Sequence, residues 1–160
     1  MKQTTQIDRF YYQKKTQTHH RTTKKNKTSF VVVLDQVTDP HNLGAVIRSA
    51  AAFSADAIFV HDRSTPRLDG VLGKAASGAL EKILIVRIKN IARAIEKLKK
   101  NEFWCLGLSD SAVNDLSNMQ IPTKTALVLG AEGMGLRRLT KDTCDELARL
   151  PTSSNFPTLN

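Results

Sequence analysis

From Ser29 onward the chain alternates short apolar runs with segments whose apolar residues recur every three or four positions. FVVVLD (30–35) is β-branched or apolar on successive residues, as expected of a strand covered on both faces. A turn at Thr38-Asp39-Pro40-His41 stops it, because the proline ring fixes φ and restricts the residue before it. NLGAVIRSAAAF (42–53) then predicts a helix with Leu43, Val46, Ile47 and Ala50 on one face, capped by His41 or Asn42. The same alternation predicts strands at 56–60, 82–86, 103–109, 125–130 and 147–151, with helices at 68–80, 90–100 and 136–148. Strands alternating with helices imply an α/β fold, a parallel sheet with helices on both faces.

Charge divides the chain differently. Residues 1–29 carry eight Lys or Arg against one acid, Asp8, whereas the remainder holds sixteen basic and fourteen acidic residues. A basic arm on a near-neutral body suits a chain that follows phosphates. The arm is also polar, rich in Thr and Gln and without periodicity, which equally suits a disordered linker. Its Phe10-Tyr11-Tyr12 cluster, His19 and His20 could stack on bases or be the remnant of a docking segment. No run approaches the roughly 18 to 20 apolar residues that cross a bilayer. The N-terminal basic residues have no apolar run behind them, and Cys105 and Cys144 sit in no ligand spacing. A cytoplasmic protein with no membrane or metal site is expected.

Two blocks invite chemistry. In the first, Gly44, Arg48 and Ala51 share a stripe of the predicted helix, and small residues beside a lone Arg permit close approach by a backbone or a phosphate. Taken alone, Arg48 is also compatible with a solvated charge, and Asn42 with a cap. In the second, LVLGAEGMGLRRL (127–139), three glycines leave a strand end at positions 130, 133 and 135. That G-x-x-G-x-G spacing is a poor dinucleotide fingerprint, but it exposes backbone where open α/β sheets bind ligands. Glu132, between two glycines, could orient a ligand or an Arg, or be a turn residue.

Together with the terminal LPTSSNFPTLN (150–160), the blocks VTDPHNLGAVIRSA and LVLGAEGMGLRRLT resemble motifs three, one and two of the SpoU/TrmH family of RNA 2′-O-methyltransferases, in the SPOUT superfamily. The resemblance covers about residues 30–160 and is strongest to bacterial enzymes that methylate a guanosine ribose of 23S ribosomal RNA. It implies a parallel sheet whose C-terminal part is tied in a trefoil knot, a homodimer, and transfer of a methyl group from S-adenosylmethionine to a ribose 2′-hydroxyl without a metal. RNA is the implied partner, ribosomal rather than transfer RNA. By the same resemblance the cofactor would lie on loops around Gly107, Leu108 and Ser109, at Gly130, and from Leu150 to Leu159. Arg48 matches the catalytic arginine, and Asn42 and Glu132 match residues that hold it and the substrate. Asn160 matches the motif-three asparagine, and Thr158 stands where the family usually has serine.

Motif three departs from the family pattern, with Thr152, Ser154 and Thr158 in place of the usual Met, Gly and Ser. The expectation is a basic arm (1–29) and a methyltransferase domain (30–160) that lacks the family's last helix, leaving its knot incomplete, and lacks the small RNA-binding domain that precedes the arm in related enzymes. Two readings follow: an active RNA ribose methyltransferase, or a methyltransferase-like remnant that binds RNA without turnover. Removal of residues 1–29 should weaken RNA binding and flatten its salt dependence, read as the slope of log K against log salt. An unchanged slope would leave the arm a solvated linker.

Overall fold

The computed structural model describes residues 28–67 and 70–152. Residues 1–27 of the basic arm and the positions Thr158, Leu159 and Asn160 lie outside the described residues. Among the described residues seven strands form one sheet: β1 (Ser29–Asp35), β2 (Ala57–His61), β3 (Leu84–Ile88), β4 (Trp104–Leu108), β5 (Asn114–Asp115), β6 (Lys124–Gly130) and β7 (Glu146–Arg149). Their order is β3-β2-β1-β6-β4-β7-β5, and every pairing is parallel. The helices are α1 (Pro40–Ala52), α2 (Gly70–Ala76), α3 (Ile91–Lys100) and α4 (Arg138–Thr143).

The continuous apolar run of β1 is explained by its place near the middle of the sheet. Val31 and Val33 pack with Ile91, Ala94, Ile95 and Leu98 of α3 on one face. Val32 and Leu34 pack with Leu43, Ile47 and Leu72 of α1 and α2 on the other. The expected parallel sheet with helices on both faces is therefore present, and its core is split by the sheet into two halves. No described helix is long and apolar enough to cross a membrane.

Several boundaries differ from the pattern-based expectation, each for a local reason. Helix α1 begins at Pro40, and its cap is Asp39 rather than His41 or Asn42: the Asp39 carboxylate accepts from the Asn42 backbone N–H at 2.8 Å, with proline at the first helical position. The helix expected over 68–80 is shorter, Gly70–Ala76, because Ser77 and Gly78 adopt left-handed φ values of 46° and 75°; a 3-10 turn at Ala79–Glu81 follows. Strand β3 consequently starts at Leu84, not at 82. The helix expected over 136–148 spans only Arg138–Thr143, because Asp145 leads into the next strand instead. Its carboxylate accepts from the Cys105 N–H at 2.8 Å, its own N–H donates to the Cys105 carbonyl at 2.8 Å, and Lys99 pairs with it at 2.8 Å. The two Cys105 contacts hold the start of β7 against β4, and Lys99 ties it to α3. The two-residue strand β5 leaves no trace in the hydrophobic pattern.

Burial, reinforced by the nearby Asp145 carboxylate, pushes the Cys105 and Cys144 thiols up to about 12. Their protons are held more tightly folded than unfolded, so the two thiols disfavour the folded state as pH rises from about 9 to about 12. At about pH 8 both thiols should react with Ellman's reagent far more slowly in the native chain than in denaturant. Rapid labelling of the native chain would contradict this.

Candidate functional site

The parallel arrangement brings the carboxyl ends of β1, β6, β4 and β7 to one edge. Asp35 pairs in register with Gly130, Gly107 with Val128, and Leu108 with Ala148. Ser109 continues β4 by donating its N–H to the Ala148 carbonyl at 2.9 Å. The segments 107–109, 130–135 and 150 therefore converge, as expected of the crevice beyond strand ends in an open α/β sheet. Leu150 is 43% exposed there and offers an apolar side chain.

The glycine segment folds back on its own strand. Ala131 and Gly135 form an antiparallel bridge, with the Gly135 N–H donating to the Ala131 carbonyl at 2.8 Å. A Cβ on Gly130 would stand 2.1 Å from the Gly135 carbonyl carbon and 2.4 Å from the Leu136 nitrogen, so only glycine permits the closure. Gly133 and Gly135 take φ values of 75° and 64°, and Glu132 and Met134 project outward from the loop.

Two links tie this loop to the first block. The Asn42 side-chain amide donates to the Glu132 carboxylate at 2.8 Å, across 90 residues of sequence. Asp35, with no exposed surface, accepts from the Arg137 backbone N–H at 3.0 Å and its Nε at 2.8 Å, and pairs with its Nη2 at 2.7 Å. Neither Asp35 nor Arg137 stands out in the hydrophobic pattern or as a candidate by residue type. The available signal is a carboxylate ending an otherwise apolar strand, which needs a partner once the strand is buried.

Arg48 lies further along α1. At about 1.5 Å rise per residue it sits about 9 Å from Asn42 along the axis. Its Nη1 donates to the carbonyl of Ala75 at the end of α2, and the side chain is otherwise exposed. The structure thus joins Asn42 with Glu132 and sets Arg48, on α1, apart against the end of α2. Among the described residues no group of three or more His, Cys, Asp or Glu could hold a metal ion. A separate open cleft of about 440 Å³ lies beside β5, lined by Trp104, Asn114, Asp115, Met119 and Glu146. It includes none of the candidate residues, and its Asn114 amide already donates to Glu146 at 2.9 Å.

Comparison with known proteins points the same way. The model of the SpoU rRNA Methylase family matches residues 29–160. The 23S rRNA (guanosine-2′-O-)-methyltransferase RlmB of Escherichia coli is 40% identical over 131 residues, covering 82% of this chain and 54% of the enzyme. Its counterpart in Pseudomonas aeruginosa is 42% identical over 130 residues, covering 81% and 52%. The chain thus spans about half the length of the relatives it matches. Among solved structures, the rRNA methyltransferase of Sinorhizobium meliloti superposes with a TM-score of 0.73 at 26% identity, covering 80% of this chain and 49% of that one. The SpoU methyltransferase AviRb of Streptomyces viridochromogenes, in complex with AdoMet, shares the fold with a TM-score of 0.74 at 22% identity, covering 86% and 54%.

Substituting Arg137→Ala leaves the Asp35 carboxylate buried with one backbone partner, and should lower unfolding stability by about 3 kcal/mol in a urea titration. The companion Asp35→Asn keeps the shape without the charge and should cost less. Equal, negligible losses would show that the pair does not hold the loop.

Proposed function

The chain belongs to the SpoU rRNA methylase family, and we propose that it transfers a methyl group from S-adenosylmethionine to a ribose 2′-hydroxyl of RNA. The favoured substrate is a guanosine of 23S ribosomal RNA, the one named for the relatives about 40% identical to it. The observation that carries this reading is the Asn42–Glu132 bond, which unites the first block with the glycine loop at the open carboxyl edge of the sheet. A homodimer in the cytoplasm, with the basic arm following RNA phosphates, completes the proposal.

The chemistry of the edge fits the cofactor. Loop backbone at Gly130–Gly135 and 107–109, with the exposed Leu150 side chain, offers main-chain donors and acceptors beside an apolar surface, which suits an adenosine. By the family resemblance Leu159 would serve the cofactor, and Thr158 and Asn160 the transfer itself; all three lie outside the described residues. When bound, the sulfonium would supply an activated methyl group: its S–CH3 bond breaks as the O–CH3 bond forms, S-adenosylhomocysteine leaves, and the hydroxyl proton passes to an RNA phosphate or to solvent, an in-line displacement that depends mainly on positioning. Holding the ribose oxygen in line would fall to Asn42 and Glu132. A guanidinium carries a fixed positive charge in proteins, so the work of Arg48 is to orient a phosphate and stabilise the developing alkoxide rather than to remove a proton as a simple base. No protein metal ligand takes part in this scheme.

Calorimetry of the full chain with S-adenosylmethionine should detect binding, and labelled methyl should pass to ribosomal RNA at the 2′-oxygen. Arg48→Ala and Glu132→Ala should each lower the transfer rate by about a hundredfold or more. A folded chain that does not bind the cofactor at about millimolar concentration would instead be a methyltransferase-like protein without turnover. Undiminished transfer by Arg48→Ala would remove the catalytic assignment.

A further inference from the structure

The small-residue stripe on α1 meets a backbone. A Cβ built on Gly44 would stand 2.5 Å from the Ala75 Cβ, 2.9 Å from its carbonyl carbon and 3.2 Å from its carbonyl oxygen, so α1 and α2 approach to a distance that only glycine allows. Arg48 lies one helical turn beyond Gly44 on the same face. It is there that its Nη1 takes the Ala75 carbonyl.

The end of α2 is arranged to leave that carbonyl available. The Lys74 carbonyl is taken by the Ser77 backbone N–H at 3.2 Å and the Ser77 hydroxyl at 3.3 Å. The left-handed Ser77 and Gly78 then turn the chain away, so Ala75 has no following helical turn to supply an N–H. An exposed arginine on a flexible stem is thereby held through one N–H. The rest of its planar fork remains for a substrate.

We infer that the Ala75 carbonyl, brought into reach by the α1–α2 contact at Gly44, is the positioning group for the Arg48 guanidinium in methyl transfer. The inference rests on the role of Arg48 proposed above. Gly44 and Ala75 act only through Arg48 and touch no substrate. The distance between helices at Gly44 sets where the guanidinium sits, and a displacement of about 1 Å is enough to cost about a hundredfold in rate.

The test uses the full chain with Gly44→Ala. Its added methyl must push α2 away from α1. The expected result is a kcat about a hundredfold lower, with the KM for RNA and the affinity for S-adenosylmethionine nearly unchanged. The loss should vanish in an Arg48→Ala background, because two residues acting through one group are not additive. The partial relief Gly44→Ala with Ala75→Gly, which removes the nearest clash, should recover part of the rate. An independent readout is the NMR signal of the Arg48 side chain. Wild type should show restricted rotation of the guanidinium, and Gly44→Ala should release it. Additive losses, an unaltered rate in Gly44→Ala, or a freely rotating Arg48 in the wild-type chain would each overturn the inference. If Gly44→Ala does not fold, the wild-type Arg48 signal decides alone. The proposed function fails separately, by undiminished transfer in Arg48→Ala.

Discussion

A carboxylate with no exposed surface must be matched by a cation and by hydrogen bonds, because an unpaired buried charge costs several kcal/mol. Asp35 is such a group, at the end of β1, a strand near the middle of the sheet that pairs on both sides. Its partner, Arg137, follows the glycine loop by two residues and is reached through its backbone N–H as well as its guanidinium. Because both backbone and side chain are held, the exit of the loop is fixed relative to β1. The entrance is already fixed by the register of β6 on β1, in which Gly130 lies beside Asp35. A loop pinned at both ends keeps little freedom, and Glu132 is thereby presented to Asn42.

The first block depends on the same strand. Four residues after Asp35, Asp39 caps α1, and Pro40 opens it with a pre-set φ. The position of Asn42 is therefore inherited from β1 through a short turn, while the position of Glu132 is inherited from β6 through a closed loop. Parallel pairing of these two strands is what makes their products neighbours. Arg48 is positioned by a different contact, the close packing of α1 on α2. The candidate site thus has two supports, one electrostatic and sheet-based, the other steric and helix-based.

Much of this architecture is legible in the order of residues along the chain. The unbroken apolar run of β1, the 3.6-residue periodicity of α1 and α3, and the alternation of strands with helices imply a parallel sheet covered on both faces, and that sheet is present. Boundaries are less legible where a single polar contact outweighs the apolar pattern. Asp39 displaces His41 and Asn42 as the cap, left-handed Ser77 and Gly78 shorten α2, and Asp145 ends α4 early by docking on Cys105. Periodicity carries no record of such contacts, because each depends on one side chain reaching one backbone group.

By itself the sequence determined the fold class, the family motifs, and the types of residue present at the open sheet edge, because hydrophobic period and motif spacing are properties of the chain read in order. What it left open for Arg48, Asn42 and Glu132 was a choice between solvated charge, cap or turn and working group. Tertiary structure decided which of them meet: Asn42 with Glu132 across 90 residues, Asp35 with Arg137 across 102, and Arg48 with the Ala75 carbonyl across 27. Those pairings follow from strand register and from how closely two helices approach at Gly44, and both quantities exist only once the chain has closed on itself.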